Sequence, residues 1–135
     1  MEEGKKGVRL LLVDDEQEAT QILAKRLTRR VYECRLACNG QDALDKMAVL
    51  ESQVVVMDVK MPVMDGIEAL SMMVAHWPDV KVILLSGHAD MQLAVDAMNI
   101  GAFGYLMKPT DLDELLFKIE DAVHQQELEI AMKEV

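Results

Sequence analysis

A chain of 135 residues that is 51% hydrophobic and 28% charged has the size of one domain and enough apolar content to bury a core, which excludes a disordered or fibrous chain. Its formal net charge of −10 argues against gripping nucleic acid or an anionic membrane through bulk electrostatics. No apolar run approaches the ~20 residues that span a bilayer, and Leu10–Val13 is broken by Asp14 before reaching the length of a secretory signal core, so a soluble, cytoplasmic chain is expected.

Strand and helix patterns alternate five times. Val8–Val13 reads as a strand, and Ala19, Ile22, Leu23 and Leu27 recur at helical spacing. Tyr32–Cys38 alternates as a strand, placing Cys34 and Cys38 on one face as buried thiols or, alternatively, as a redox pair. Gly40–Met47 is a short helix carrying Ala43, Leu44 and Met47. Val54–Met57 is a continuous apolar run, as expected of a strand buried on both faces. Ile67, Leu70 and Val74 mark a third helix, ended near Trp77-Pro78. Val80–Leu85 is the fourth strand, Asp90–Ile100 the fourth helix, stopped by Gly101, and Phe103–Met107 the fifth strand. Leu112, Leu115, Leu116, Ile119 and Val123 stripe the last helix, entered through Thr110 or Asp111.

This alternation predicts an α/β domain with a parallel sheet covered by helices on both faces. In such a doubly wound sheet ligands bind outside the carboxyl ends of the strands, so the residues just after each strand carry the chemistry. They are Asp14, Asp15 and Glu16 after the first, Asp58 after the third, Ser86-Gly87 after the fourth and Lys108-Pro109 after the fifth. Carboxylates gathered in one place repel unless a cation joins them, and a few hard oxygen donors with room for water suit Mg²⁺. A lysine and a hydroxyl opposite would suit a phosphoryl group, and Asp58 as nucleophile would form an acyl phosphate. Each motif alone is an ordinary turn or cap. Their occurrence together at four strand ends is what points to phosphoryl chemistry.

Leu-Leu-Val-Asp-Asp-Glu at 11–16, Met-Asp-Val-Lys-Met-Pro-Val-Met-Asp-Gly at 57–66, Leu-Leu-Ser-Gly-His at 84–88 and Gly-Tyr-Leu-Met-Lys-Pro at 104–109 resemble the receiver domains of two-component response regulators. The resemblance implies a flavodoxin-like sheet of order 2-1-3-4-5 with five helices, over residues 8–124. Residues 1–7 would be an extension, and 125–135 a helical continuation, a fraying tail or the start of a linker. It further implies that Asp58 accepts a phosphoryl group from a phosphohistidine on a sensor histidine kinase. Asp15 and Asp58 would bind Mg²⁺ with the main-chain carbonyl of Lys60, Asp14 helping through water. Lys108 and Ser86 would contact the phosphoryl group, and Lys108-Pro109 would be a cis peptide. Ser86 and Tyr105 would switch together, changing a surface of the fourth helix, fifth strand and fifth helix that includes Met91, Gln92, Val95 and Asp96. That surface would serve a homodimer or an output domain.

Lys60 and His88 stand two residues after Asp58 and Ser86, places that tune phosphoryl lifetime in the family. Lys60 also stands where aspartate-based phosphohydrolases carry a second acid, so it disfavours a hydrolase. Three consecutive acids after the first strand are the wrong charge for the phosphate loop of a flavin or nucleotide binder. The full acid, serine and lysine set disfavours an interaction module that is never phosphorylated. The eleven methionines are expected to pack. Lys25, Arg26, Arg29 and Arg30 form a basic cluster, read as a solvated face or, alternatively, a docking patch.

Overall fold

A computed structural model describes residues 7–30, 32–59, 61, 64–87 and 91–135, with Met91 described by its backbone alone. Lys60 and His88 lie outside the described residues. The elements run β1 (Val8–Val13), α1 (Gln17–Thr28), β2 (Tyr32–Ala37), α2 (Gly40–Val49), β3 (Val54–Asp58), α3 (Gly66–His76), β4 (Lys81–Ser86), α4 (Met91–Ile100), β5 (Gly104–Met107) and α5 (Leu112–Lys133). All four strand pairings are parallel, in the order β2-β1-β3-β4-β5. The expected doubly wound sheet with five helices is therefore the observed one.

Successive side chains of a strand point to opposite faces, so the apolar central strands feed two cores. Leu11, Val13, Val55, Met57, Val82 and Leu84 pack beneath α2, α3 and α4. Leu10, Leu12, Val54, Val56 and Ile83 pack beneath α1 and α5. Residues Val54–Met57 are at most 3% exposed, the two-sided burial that a continuous apolar run implies. Met47, Met57 and Met73 are fully buried, and Met61 and Met64 pack against the first core. Met98, Met107 and Met132 are exposed, so packing does not account for every methionine.

Helix entry is controlled by short polar side chains that satisfy the first free N–H groups. Asn39 accepts from the Asp42 N–H at 2.8 Å, and the Asp42 carboxylate accepts from the Cys38 N–H at 3.0 Å. Asp65 accepts from the Glu68 N–H at 2.9 Å. Asp111 stands at the N-cap of α5, but its side chain makes no capping bond.

Two sequence expectations are corrected. Ala19 and Ile22 are exposed, Ile22 to 58%; the inward face of α1 is instead Thr20, Leu23, Ala24 and Leu27. Thr20 can enter the core because its hydroxyl donates to the Glu16 carbonyl at 2.8 Å, which satisfies it without a distant partner. Cys38 lies past the end of β2 and is exposed, while Cys34 is half-buried within the strand. Burial pushes the Cys34 thiol up, an effect only partly opposed by Thr28, so the two are not a buried pair.

The last helix is continuous to Lys133, and its far end is attached to the amino-terminal end of the sheet. Gln126, 4% exposed, donates to the main-chain carbonyls of Gln53 (3.0 Å) and Asp79 (2.7 Å). One turn on, Glu129 pairs with Lys81 at 2.6 Å, and Lys133 reaches Asp79 at 2.5 Å. Residues 126, 129 and 133 share one helical face, so 125–133 belong to the folded body. Among the described residues no helix is long and apolar enough to cross a membrane.

Candidate phosphoacceptor site

Main-chain bonds between neighbouring strand tips assemble the site. The Asp14 N–H donates to the Ala37 carbonyl (3.1 Å), the Val59 N–H to Leu85 (2.9 Å) and the Lys108 N–H to Ser86 (2.6 Å). These bonds carry the sheet's order to the strand tips, where Asp58 and Ser86 end β3 and β4 and Asp14 and Lys108 directly follow β1 and β5. The peptide joining Lys108 to Pro109 is cis, as the resemblance implied.

One oxygen each from Asp14, Asp15 and Asp58 lie within 4.8 Å of one another. Asp15 is exposed, whereas the Asp14 and Asp58 side chains are 16% and 12% exposed. The Lys108 ammonium is 3.2 Å from Asp58 Oδ2 and 3.3 Å from Asp14 Oδ2. Burial pushes the Lys108 pKa down, but the charges of Asp14 and Asp58 and their hydrogen bonds more than offset this and raise it. Asp14 has its second oxygen occupied as well, accepting from the Glu16 N–H at 2.9 Å. Both its oxygens are thus engaged by the protein, while Asp15 stands open to solvent.

On the β3 side, Gly66 is required by space. A Cβ there would lie 2.7 Å from the Asp58 carbonyl oxygen and 2.7 Å from Val59 Cα. The Gly66 N–H donates to the Val59 carbonyl at 2.7 Å, closing α3 onto the end of the strand that carries Asp58. Ser86 is buried at 2% exposure, one residue beyond the register partner of Asp58. Tyr105 packs against the α2–α4 core, and its buried hydroxyl has no hydrogen-bond partner among the described residues. A cleft of about 470 Å³ opens beside the site between α1 and α5. It is floored by Leu12, Val56 and Leu85 and shares Asp14 and Lys108 with the acidic cluster.

The structure therefore brings Asp14, Asp15, Asp58 and Lys108 together, with Ser86 at the adjacent strand tip; Lys60 and His88 lie outside the described residues. Sequence reasoning missed Gln17, whose side-chain amide donates to the Asp14 carbonyl at 2.6 Å. Its place as the first residue of α1, directly behind three acids, was the available signal.

A doubly wound five-stranded sheet with three acids, a serine and a lysine at its strand tips defines a phosphoacceptor signalling module. The chain belongs to the response regulator receiver domains, whose family model matches residues 10–120. It is 40% identical over 120 residues to the regulatory protein AtoC of Escherichia coli (strain K12), covering 89% of this chain and 26% of AtoC. The chain thus spans about a quarter of that relative's length. It is also similar to the crystal structure of a CheY-like response regulator receiver domain protein from Methanospirillum hungatei JF-1, with a TM-score of 0.86 and 31% identity over 90% of this chain and 97% of the other. The solution structure of the beryllofluoride-activated NtrC4 receiver domain dimer gives a TM-score of 0.82 and 33% identity over 87% and 98%. Accepting a phosphoryl group is the standard role of this family, and its members work with histidine kinases.

Proposed function

We propose that Asp58 is the phosphoacceptor, that Asp15 and Asp58 form a Mg²⁺ site with the main-chain carbonyl of Lys60, Asp14 helping through water, and that Lys108 and Ser86 hold the transferred group. The observation that carries this reading is the Lys108 ammonium lying 3.2 Å from Asp58 within a cluster of three carboxylates. The three carboxylates fit Mg²⁺: they are hard oxygen donors, and one of them is exposed enough to leave the metal its waters. Bound there, Mg²⁺ would supply positive charge to the phosphoryl oxygens.

The chain's own residues do the rest. An Asp58 oxygen attacks the phosphorus of a kinase phosphohistidine, the P–N bond breaks, and its electron pair stays on the imidazole nitrogen. An acyl phosphate remains on Asp58. Lys108 stabilises the gathering negative charge, and the Ser86 hydroxyl donates to a phosphoryl oxygen. Withdrawal of that hydroxyl toward the phosphate would open space for Tyr105, whose buried hydroxyl has no hydrogen-bond partner among the described residues. The altered surface would be that of α4, β5 and α5, where Val95, Met107 and Phe117 are 47%, 51% and 70% exposed. A second copy or an output domain would read it. Lys60 and His88 would tune the lifetime of the acyl phosphate.

The test is incubation with Mg²⁺ and acetyl phosphate, followed by intact-mass measurement. We expect one added phosphoryl mass, absent in Asp58→Asn and in a metal-free sample, and lost at alkaline pH. An adduct that survives Asp58→Asn would assign the acceptor elsewhere.

A further inference from the structure

Asp14, Asp15 and Glu16 are three consecutive acids between β1 and α1, a segment whose charges repel one another. The Asp14 carboxylate is held by Lys108 and by the Glu16 N–H, while Glu16 stands at the N-cap without making a side-chain capping bond. The part-buried Gln17 amide holds the main chain of the segment. Its Nε2 donates to the Asp14 carbonyl at 2.6 Å and lies 3.4 Å from the Ala37 carbonyl, which also accepts the Asp14 N–H. One side chain thus ties the carboxyl ends of β1 and β2 together.

The geometry points to Gln17 as a positioning residue for the acidic site, acting through the peptide plane between Asp14 and Asp15. That peptide is planar, so holding the Asp14 carbonyl fixes the direction of the Asp15 N–H and the place of its Cα. Asp14 is further held through its own carboxylate by Lys108 and the Glu16 N–H. Among the described residues no hydrogen bond or ion pair holds the Asp15 side chain; it is exposed, and its place depends on its backbone. Gln17 accordingly acts on the member of the cluster that is most open to a metal. This inference rests on the reading of Asp14, Asp15 and Asp58 as a Mg²⁺ site.

The test is calorimetric titration of the folded chain with Mg²⁺ alone, beside metal-free thermal unfolding. Gln17→Met keeps the length and removes the donor. Gln17→Asn keeps the amide but shortens its reach. Each should raise the Mg²⁺ dissociation constant about tenfold, the scale seen when a group that orients a metal ligand is lost. Asp15→Asn runs in parallel as the direct-ligand control. Unchanged affinity in both Gln17 variants, with weakened binding in Asp15→Asn, overturns the role of Gln17. So does a Gln17 variant that lowers only the metal-free unfolding temperature. Unchanged binding in Asp15→Asn would instead overturn the metal site itself, and this inference with it.

Discussion

Lys108 and Asp58 are joined at 3.2 Å across the carboxyl end of the sheet, and the same ammonium reaches Asp14 at 3.3 Å. One lysine thus partly neutralises two of the three clustered carboxylates. At the proposed Mg²⁺ site the lysine and a bound cation would therefore compete for the same negative charge.

Replacement of Lys108 by methionine should separate the two roles. Removing a positive charge about 3 Å from two carboxylates of the proposed metal site is worth on the order of 1 kcal/mol or more in a partly solvated site. Mg²⁺ should bind several-fold more tightly, by calorimetric titration. Phosphoryl uptake from acetyl phosphate should slow by about tenfold or more, because the transferred charge loses its ammonium. Weaker Mg²⁺ binding in this variant would show that Lys108 supports the cluster and does not compete with the cation.

Two glycines near the site predict opposite tolerance. In Gly66→Ala the new methyl group meets only main-chain atoms, at 2.7 Å from both the Asp58 oxygen and Val59 Cα. Main chain cannot swing aside as a side chain can, so a loss of about 1–3 kcal/mol in urea unfolding is expected, together with slower phosphoryl uptake as Asp58 is displaced. At Gly87 an added Cβ meets nothing within 4 Å among the described residues, so Gly87→Ala should change stability by no more than ~0.5 kcal/mol.

Gln126→Leu tests the attachment of the last helix. The change keeps the volume and withdraws the donor from the Gln53 and Asp79 carbonyls. A cost of about 1 kcal/mol follows, because the part-buried Asp79 carbonyl loses this donor while the Gln53 carbonyl keeps the Lys81 N–H. Urea unfolding should show it, and hydrogen exchange should quicken over residues 124–133. An unchanged exchange pattern would mean that the apolar contacts of α5 suffice alone.

Glu129 gives the same attachment a pH dependence. Hydrogen bonds from Gln125 and Lys81, together with the Lys81 charge, hold its carboxyl below the ordinary value. A lowered folded value means that the contribution is complete above the unfolded value of ~4.3 and is lost as pH falls through the folded one. The pair is partly exposed, so screening limits it to about 0.2–1 kcal/mol. The stability gap between the unaltered chain and Glu129→Gln should be visible at pH 6–7 and close as pH falls below 4.

The sequence by itself determined the sheet, its helices and the residues at the strand tips. Apolar runs such as Val54–Met57 can be satisfied only by burial on two faces, and acids that end such runs must emerge at one edge of the sheet. Helix existence was legible from spacing, but the facing of α1 was not. Ala19 and Ile22 fit the period as well as Thr20 does, and only contact with β1 and β2 decided that a hydroxyl satisfied by its own helix would go inward. The tertiary structure alone decided which oxygens of Asp14 are engaged, that Gln17 binds two strand ends, and that the helix after Val123 is attached by Gln126. Each depends on carbonyl groups from residues far apart in the chain converging on one polar side chain. Hydrogen bonds of that kind have no period and leave no pattern in a sequence.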